Sequence, residues 1–338
     1  MEKYVIALDA MGGDNAPDAI VQGAIGALKQ FDDVRIELAG PKERLEKLIA
    51  SAEDVRDRIG IIPSDEVISM DDSPMMAVRK KINSSMVQAM LAVREGRAGA
   101  MVSAGSTGAL LACGMLRLGR IPGIERPALA PVLPGVKGPW LLIDCGANVD
   151  CQPKYLVQFG LMGSVYMKSV MGVADPRVGL VNIGAEVEKG NRLAKETYQL
   201  MQAQTSYRFA GNCEAREIPS GDFDVVVTDG FDGNIILKYT EGIAGAMMGM
   251  LKESLMSSWQ TKIGAALCKP GFRIFKKRMD YNAYGGAPLL GVEGAVVKAH
   301  GSSGDEAIRN AIRQARTMLE GQVVDKIRAG LAGLGGEN

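Results

Sequence analysis

Short apolar runs alternate with stretches of helical length along most of this 338-residue chain, and small or polar loops separate them. This alternation is typical of α/β proteins in which helices cover a mostly parallel sheet. We therefore expect a three-layer α/β/α fold built on a largely parallel sheet. The predicted strands are 4–8, 34–38, 100–102, 141–143, 178–182, 225–228 and 295–298. The predicted helices include 17–30, 42–51, 84–95, 107–118, 154–171, 190–203 and 304–319.

We expect residues 1–338 to form a single α/β domain. Two regions of it depart from the alternation of strands and helices. The proline-rich stretch 121–139 is expected to cross the surface and to mark a subdomain edge. Residues 231–279 are first rich in methionine and helical in pattern, then basic with interspersed aromatics. Apolar side chains at three- and four-residue steps predict a protruding helical hairpin over 247–279. Breaks are expected at Ser257-Ser258 and Pro270-Gly271.

The two halves of this hairpin predict different contacts. The apolar face of the first half is expected to pack in a dimer interface or in an ordinary core. The second half has the composition of a segment that lies at the surface of an anionic membrane. The expected membrane or partner contacts are Trp259, Phe272, Arg273, Phe275, Lys276 and Lys277.

Charge and cysteine content exclude several classes of protein. The 39 Lys and Arg residues balance 39 Asp and Glu residues, whereas nucleic-acid-binding proteins usually carry a net basic surface. Five cysteines without a C-x-x-C pair favour reduced thiols over a disulfide framework or a zinc site. No apolar run approaches the ~20 residues of a membrane span, and the N-terminal sequence lacks the features of an export leader. We expect a cytoplasmic protein.

Polar residues follow most of the predicted strands. In an open parallel sheet the carboxyl ends of the strands border one crevice, so these residues are expected to share a ligand site. The same residue types also make turns and helix caps. For a single loop that explanation is the simpler one, whereas for six loops a shared site is favoured. The strand-end residues are Asp9, Ser103, Asp144, Asn182, Asp229 and Lys298.

The loop Gly105-Ser106-Thr107-Gly108 lies between a predicted strand and a predicted helix. Its glycines allow close approach to the backbone, and the amide groups and dipole of a helix N-terminus favour an anion. We expect this loop to bind phosphate. A plain N-cap role is the simpler alternative for Ser106 or Thr107 taken alone. The stretch 301–304 has the same setting and is a second candidate.

His300 is the only histidine, so a histidine-rich metal site is excluded. It lies two residues after Lys298 at the expected mouth of the crevice, either as a structural hydrogen-bonding group or as a catalyst. Asp9 and Asp14 bracket a Met-Gly-Gly turn. They suit a divalent cation or acid–base chemistry, or Asp14 only shapes the entrance to the next helix. Sequence fingerprints of a dinucleotide site, a Walker loop and a nucleophile elbow are absent.

Seven long strings between residues 4 and 316 resemble a known family. They are ALDAMGGDNAP, SAGSTGA, IPGIERPA, DCGANVDCQPKYLVQFGLMG, VNIGAEVEKGN, FAGNCEAREIPSGDFDVVVTDGFDGN and YGGAPLLGVEGAVVKAHGSS. The family they resemble is the phosphate acyltransferase family known as PlsX. One departure is Ser106, where the family more often carries asparagine, so the role of this position within the phosphate loop is left open.

The resemblance implies a homodimer with a fold similar to isopropylmalate dehydrogenase and phosphotransacetylase. It implies transfer of a long-chain acyl group from acyl carrier protein to inorganic phosphate. The acyl-phosphate would then feed a membrane-bound glycerol-3-phosphate acyltransferase in phospholipid synthesis, which favours reversible association with the inner face of the membrane. This chemistry requires no cofactor, because phosphate is a nucleophile and a thioester carries a good leaving group, while a divalent cation is left open.

The roles within this reaction are expected to fall on the strand-end loops. The predicted catalytic residues are Asp9, Asn182, Asp229, Asn234, Lys298 and His300, with Gly105, Ser106, Thr107 and Gly108 binding phosphate. Asn182, Asn234 and Lys298 are expected to stabilise phosphate or the oxyanion that forms at the carbonyl. His300 or Asp229 is expected to protonate the departing thiolate.

Other classes of function use the same features. A phosphotransacetylase-like enzyme would use the same site with acyl-coenzyme A, and a decarboxylating dehydrogenase would need a nicotinamide and a metal. A non-catalytic membrane scaffold would depend on the basic helical segment alone. For that segment, docking of the acidic carrier protein is a rival to membrane contact.

Overall fold

In a computed structural model that describes residues 3–279 and 284–334, apart from the side chain of Lys277, the strands form two sheets with helices on their faces. The strands are β1 (Tyr4–Asp9), β2 (Val34–Gly40), β3 (Ile59–Pro63), β4 (Ala100–Ser103), β5 (Ala128–Leu129), β6 (Val132–Leu133), β7 (Trp140–Ile143), β8 (Arg177–Asn182), β9 (Arg208–Glu214), β10 (Val225–Val227), β11 (Ala287–Leu290) and β12 (Ala295–Lys298). The helices are α1 (Asp18–Gln30), α2 (Lys42–Ile49), α3 (Pro74–Lys80), α4 (Ser85–Arg94), α5 (Thr107–Cys113), α6 (Pro153–Val170), α7 (Arg192–Gln202), α8 (Gly230–Leu255), α9 (Trp259–Leu267), α10 (Lys269–Met279), α11 (Asp305–Glu320) and α12 (Val323–Leu334).

Parallel pairing dominates the first sheet, whose strand order is β3-β2-β1-β4-β12-β11-β5. β1 pairs in parallel with β2 and β4, and β4 pairs in parallel with β12. Among the described strands of this sheet, β11 alone runs in the opposite direction, antiparallel to both β12 and β5. β1 is an almost continuous buried run, as expected for a strand that is covered on both faces.

The second sheet has the order β6-β7-β10-β8-β9, with β6 as an antiparallel edge strand. The chain passes from the first sheet to the second between β5 and β6. At this crossing the amide of Ala130 donates to the carbonyl of Pro288 at 2.9 Å, and the amide of Leu142 donates to the carbonyl of Pro131 at 3.0 Å. The crossing lies within the stretch 121–139, and the division of the chain into domains stays a prediction.

The predicted mostly parallel, three-layer α/β architecture is confirmed, although the strands are divided between two sheets instead of one. Helices from both ends of the chain pack on the first sheet. A Cβ at Gly23 of α1 would lie 2.6 Å from the Cβ of Ile308 in α11, so glycine permits the close approach of these helices. The strands that carry the candidate site are therefore fixed by packing between early and late parts of the chain.

The helices α8, α9 and α10 lie largely exposed on the surface. The gap between α8 and α9 coincides with the break predicted at Ser257-Ser258. The second break lies at Cys268 and not at Pro270-Gly271, because proline is tolerated in the first turn of a helix, where its missing amide would have no partner. No helix among the described residues combines the length and apolar character of a membrane span.

The predicted contact residues of this segment are mostly accessible. Trp259, Arg273, Phe275 and Lys276 are exposed and Phe272 is half-buried, whereas the side chain of Lys277 lies outside the described residues. The guanidinium of Arg278 donates to the carbonyl of Val136. The end of α10 therefore contacts the connection between β6 and β7 in the second sheet.

Candidate active site

A cavity of about 350 Å³ opens between the two sheets at the carboxyl ends of their strands. The loops after β7 and β12, the start of α5 and the first turns of α8 form its walls. Its polar lining includes Thr107, Asn234, Lys238, Glu241, Lys298 and His300. Its apolar lining includes Leu111, Leu129, Val132, Leu133, Leu237 and Leu289. One space thus offers both charged groups and a hydrocarbon surface.

Asp9, at the end of β1, is buried and does not line this cavity. Its carboxylate accepts hydrogen bonds from the hydroxyls of Ser85 at 2.5 Å and Ser103 at 2.7 Å. The Ser103 oxygen in turn accepts from the amide of Gly105 at 3.0 Å. Burial raises the pKa of Asp9, and the two hydroxyls partly offset that effect. These contacts give Asp9 the geometry of a residue that positions the loop 105–108.

Lys298, at the end of β12, is 8% exposed and lines the cavity. Its ammonium group donates to the carbonyl of Ala104 at 3.5 Å and to that of Ala299. Burial lowers the pKa of Lys298 to about 8, although the charges of Asp9 and Asp14 raise it. The two carboxylates considered for a divalent cation therefore have an ammonium group nearby. Within the described residues, no three His, Cys, Asp or Glu side chains are grouped to hold a metal ion.

The loop 105–108 divides into two pairs of residues. Thr107 and Gly108 line the cavity. The hydroxyl of Ser106 accepts from the amide of Ala109 at 3.4 Å, so Ser106 is the N-cap of α5. The amide of Gly105 is already bonded within the positioning cluster of Asp9. Only half of the predicted phosphate loop thus faces the space where a ligand would bind.

The second turn of α8 brings Asn234 into the cavity wall. Asp229 is its N-cap, with a carboxylate that accepts from the amide of Asp232 at 2.8 Å. Burial raises the pKa of Asp229, which is half-buried and is not among the residues that line the cavity. A Cβ at Gly233 would overlap the carbonyl oxygen of Asp144, so glycine is required for α8 to begin so close to the end of β7.

Asp144 holds together the loops that surround this helix start. Its carboxylate accepts from the amides of Leu129 at 2.9 Å and Asn148 at 2.7 Å. Burial raises its pKa to about 6, against the opposing effect of these amides. Asp144 therefore ties the crossing between the sheets to the loop after β7.

Asn182 closes the loop after β8 and does not line the cavity. Its side chain accepts from the amide of Ile183 at 2.8 Å and donates to the carbonyl of Lys189 at 3.1 Å. The strand-end residues predicted to share one site therefore separate. Asp9, Ser103 and Lys298 form one group, Asp144 and Asp229 lie around the start of α8, and Asn182 serves its own loop.

His300 lines the cavity and is exposed. Its Nδ1 accepts from the amide of Ser302 at 3.3 Å and lies 2.8 Å from the hydroxyl of the same residue. Because an amide donates to Nδ1, the proton of the neutral ring lies on Nε2. The loop thereby fixes both the orientation and the tautomer of this imidazole.

Two charged residues of the wall and most of its apolar part were not predicted from the sequence. Lys238 and Glu241 follow Asn234 at three- and four-residue steps, which puts all three on one helix face. That spacing was the available signal. Val132 and Leu133 had none, because they lie in a connection without periodicity.

Comparison with known proteins gives near-full-length matches. A sequence profile of the family described as "Fatty acid synthesis protein" matches residues 4–326. The phosphate acyltransferase of Clostridium botulinum (strain Loch Maree / Type A3) is 49% identical over 330 residues, which cover 98% of each chain. The phosphate acyltransferase of Clostridium perfringens (strain SM101 / Type A) is 50% identical over 322 residues, which cover 95% of each chain.

Among solved structures, a phosphotransacetylase from Streptococcus pyogenes matches with a TM-score of 0.61 at 16% sequence identity, over 95% of this chain and 94% of that chain. At such low identity the likeness concerns the fold, and it agrees with the architecture described above. The family resemblance of the seven sequence strings is confirmed by the profile and by both clostridial relatives. This chain belongs to the fatty acid synthesis protein family, as a relative of the clostridial phosphate acyltransferases.

Proposed function

We propose that this chain moves a fatty acyl group from the thioester of acyl carrier protein to inorganic phosphate. The proposal depends on one observation: a buried ammonium group, that of Lys298, faces the same cavity as an apolar wall that includes Leu129 and Leu237. An anionic nucleophile and a hydrocarbon chain need both environments at once. The names of the near-full-length relatives support the transfer of an acyl group to phosphate.

The proposed reaction depends on position and charge. A phosphate oxygen attacks the thioester carbon, a C–O bond forms, the C–S bond breaks, and the thiolate takes up a proton. Because phosphate supplies the nucleophile, no cofactor is needed. Holding phosphate against the carbonyl in an attack geometry lowers the barrier, and donors at the oxyanion lower it further. We assign phosphate binding to Thr107, Gly108 and Lys298, and oxyanion stabilisation to the amide of Asn234.

We assign to His300 the role of donating the proton that the thiolate takes up. This residue lines the cavity, and its Nδ1 is engaged by the amide of Ser302. The ring therefore delivers that proton from Nε2 in its imidazolium form, in which Nδ1–H donates to the Ser302 hydroxyl, and it regains a proton from the hydrogen phosphate that has attacked. Asp229, the other predicted donor, caps α8 and lies outside the cavity lining.

The proposal is tested with purified protein, a long-chain acyl-acyl carrier protein and phosphate, with hydroxylamine to trap acyl-phosphate. We expect hydroxamate whose formation depends on phosphate, and reactions without phosphate correct for direct attack on the thioester. A parallel assay uses acyl-coenzyme A of the same chain length. Preference for the coenzyme would assign the phosphotransacetylase-like reaction instead, and no phosphate-dependent product from either donor would overturn the proposal.

We further propose that the chain works as a homodimer that contacts the inner face of the membrane reversibly from the cytoplasm. Exposed apolar residues follow four-residue steps along α8, and a second copy would cover them. They are Phe231, Ile235, Tyr239, Ile243 and Met247. The basic and aromatic helix α10 would lie on anionic lipid and bring acyl-phosphate to a membrane-bound glycerol-3-phosphate acyltransferase.

A further inference from the structure

Lys238 and Glu241 form an ion pair on the face of α8 that lines the cavity, and the reaction assigned above uses neither of them. The Nζ of Lys238 lies 2.8 Å from the Oε2 of Glu241. The side chain of Glu241 is 23% exposed and that of Lys238 is 56% exposed. A partly exposed pair three residues apart on a helix contributes little to stability, so stability alone does not explain two charges at this position.

Both charges reach groups on other walls of the cavity. Burial lowers the pKa of Lys298 to about 8, and the nearby charge of Lys238 lowers it too. In the wall after β7, burial raises the pKa of the Cys145 thiol, Glu241 raises it further and Lys238 lowers it. Two ammonium groups therefore face one space and repel each other. A dianion bound between them would replace this repulsion with two attractions.

We propose that Lys238 is a second phosphate-binding residue opposite Lys298, and that Glu241 holds it in place while weakening the affinity of the site for anions. This inference rests on the proposed function. An ammonium group has three N–H donors, so Lys238 keeps its bond to Glu241 and still donates to phosphate. Its charge strengthens the bond to the anion, whereas the carboxylate of Glu241 repels that anion. The pair thus binds phosphate weakly enough for turnover.

The test depends on opposite effects of two neighbouring substitutions. Lys238→Met should raise the KM for phosphate about tenfold, the equivalent of about 1.4 kcal/mol, with a much smaller change in the KM for the acyl donor. Glu241→Gln should lower the KM for phosphate about threefold, because it removes the repelling charge. Lys238→Arg keeps the positive charge and should restore most of the binding. Isothermal titration with inorganic phosphate measures the affinity of each variant without turnover, and it should rank the variants in the same order.

Lys154 and Glu125 provide a matched control. They form an ion pair at 2.8 Å in which the lysine is 52% and the glutamate 43% exposed, and neither lines the cavity. Lys154→Met and Glu125→Gln should therefore leave the affinity for phosphate unchanged. Thermal unfolding of all variants shows that the comparison is made between folded proteins.

A pair that only stabilises α8 would give another pattern, since both substitutions would then change phosphate binding in the same direction. That result, or a phosphate Kd of Lys238→Met within about twofold of wild type, overturns the inference. Absence of phosphate binding by the wild-type protein overturns it as well. If titration shows the opposite shifts while wild type makes no acyl-phosphate, the proposed function fails and the phosphate-binding role of Lys238 stands.

Discussion

At the scale of single residues, the site depends on two buried ionisable groups in the first sheet. Asp9 and Lys298 lie at the ends of the two strands that flank β4. Burial raises the pKa of Asp9 and lowers that of Lys298, which favours the neutral form of each group. Their opposite charges partly offset this effect. Buried groups with perturbed pKa values are typical of functional sites, because burial without function is unfavourable. This pair is therefore the centre from which the chemistry of the cavity is best tested.

The charge of Lys298 predicts a pH dependence. Because burial lowers its pKa to about 8, the ammonium group is present below that pH and is lost as the pH rises through it. If the ammonium group binds phosphate, kcat/KM for phosphate falls on the alkaline side with a midpoint near pH 8. Lys298→Arg stays charged, so its lower activity should lack this alkaline limb. A wild-type profile that is flat up to about pH 9 would contradict the assignment.

Thr107→Val removes a hydroxyl that lines the cavity at the start of α5. The KM for phosphate should rise more than the KM for the acyl donor, since losing a hydrogen bond to a buried partner costs about 1–3 kcal/mol. Ser106→Ala is the comparison, because the Ser106 hydroxyl caps the helix. It should lower stability by up to about 1 kcal/mol and leave the phosphate KM near that of wild type. An effect of Thr107→Val on the acyl donor alone would show that phosphate binds elsewhere.

The same sequence rule selected residues that line the cavity and residues that do not. The rule that ligands bind at the carboxyl ends of parallel strands selected Lys298 and His300, which line the cavity. The same rule selected Asn182, which closes its own loop. A polar residue at a strand end has the same sequence signature in both cases. Only the position of the neighbouring sheet decides whether the side chain faces a ligand.

At the scale of elements, the start of α8 combines a structural cap with a cavity-lining amide. Asp229 caps the helix, and Asn234 reaches the cavity one turn later. From the sequence both were expected to act in catalysis. The structure separates them, because a cap acts on the stability of the whole helix, whereas an exposed amide contributes little to it.

Substitutions at the two positions should therefore have different effects. Asp229→Ala should lower the free energy of unfolding by about 1 kcal/mol, and Asp229→Asn, which keeps an accepting oxygen, should restore most of it. Asn234→Ala should leave stability within about 0.5 kcal/mol of wild type and strongly reduce turnover. Urea denaturation and the hydroxamate assay measure the two quantities. Full turnover by Asn234→Ala would remove the amide from the proposed oxyanion site.

The elements themselves were predictable where their own sequence carried the pattern. Each predicted strand overlaps an observed one, because β-branched apolar runs mark buried strands. β5 and β6 were missed because each has only two residues and is defined by its pairing with β11 or β7. These two strands carry Leu129, Val132 and Leu133 of the apolar wall. Tertiary pairing, and not local propensity, thus built this part of the apolar wall.

At the scale of the whole molecule, the exposed helices α8 to α10 predict how the protein contacts other surfaces. Phe272→Glu combined with Phe275→Glu should abolish flotation with anionic liposomes, because it replaces apolar contacts with like charges. Ile183→Glu changes an exposed apolar residue on the loop after β8 and controls for added charge. Flotation is compared at matched dimer content. Equal flotation of wild type and the double phenylalanine variant, or no flotation of wild type, would leave dimerisation or carrier docking as the role of α10.

The pairing of β12 with β4 also orders events during synthesis. In this pairing Ala295 lies beside Ala100, so a late strand joins an early one. All strands of the second sheet lie between these two in the sequence, within residues 132–227. On the ribosome, the second sheet can therefore be completed while the nascent first sheet still has an open edge at β4. Such an edge invites wrong pairing until the late strand fills it. Lys298 arrives on that strand, so the step that closes the edge also supplies the buried cation of the cavity, and a chain that lacks this strand lacks that cation.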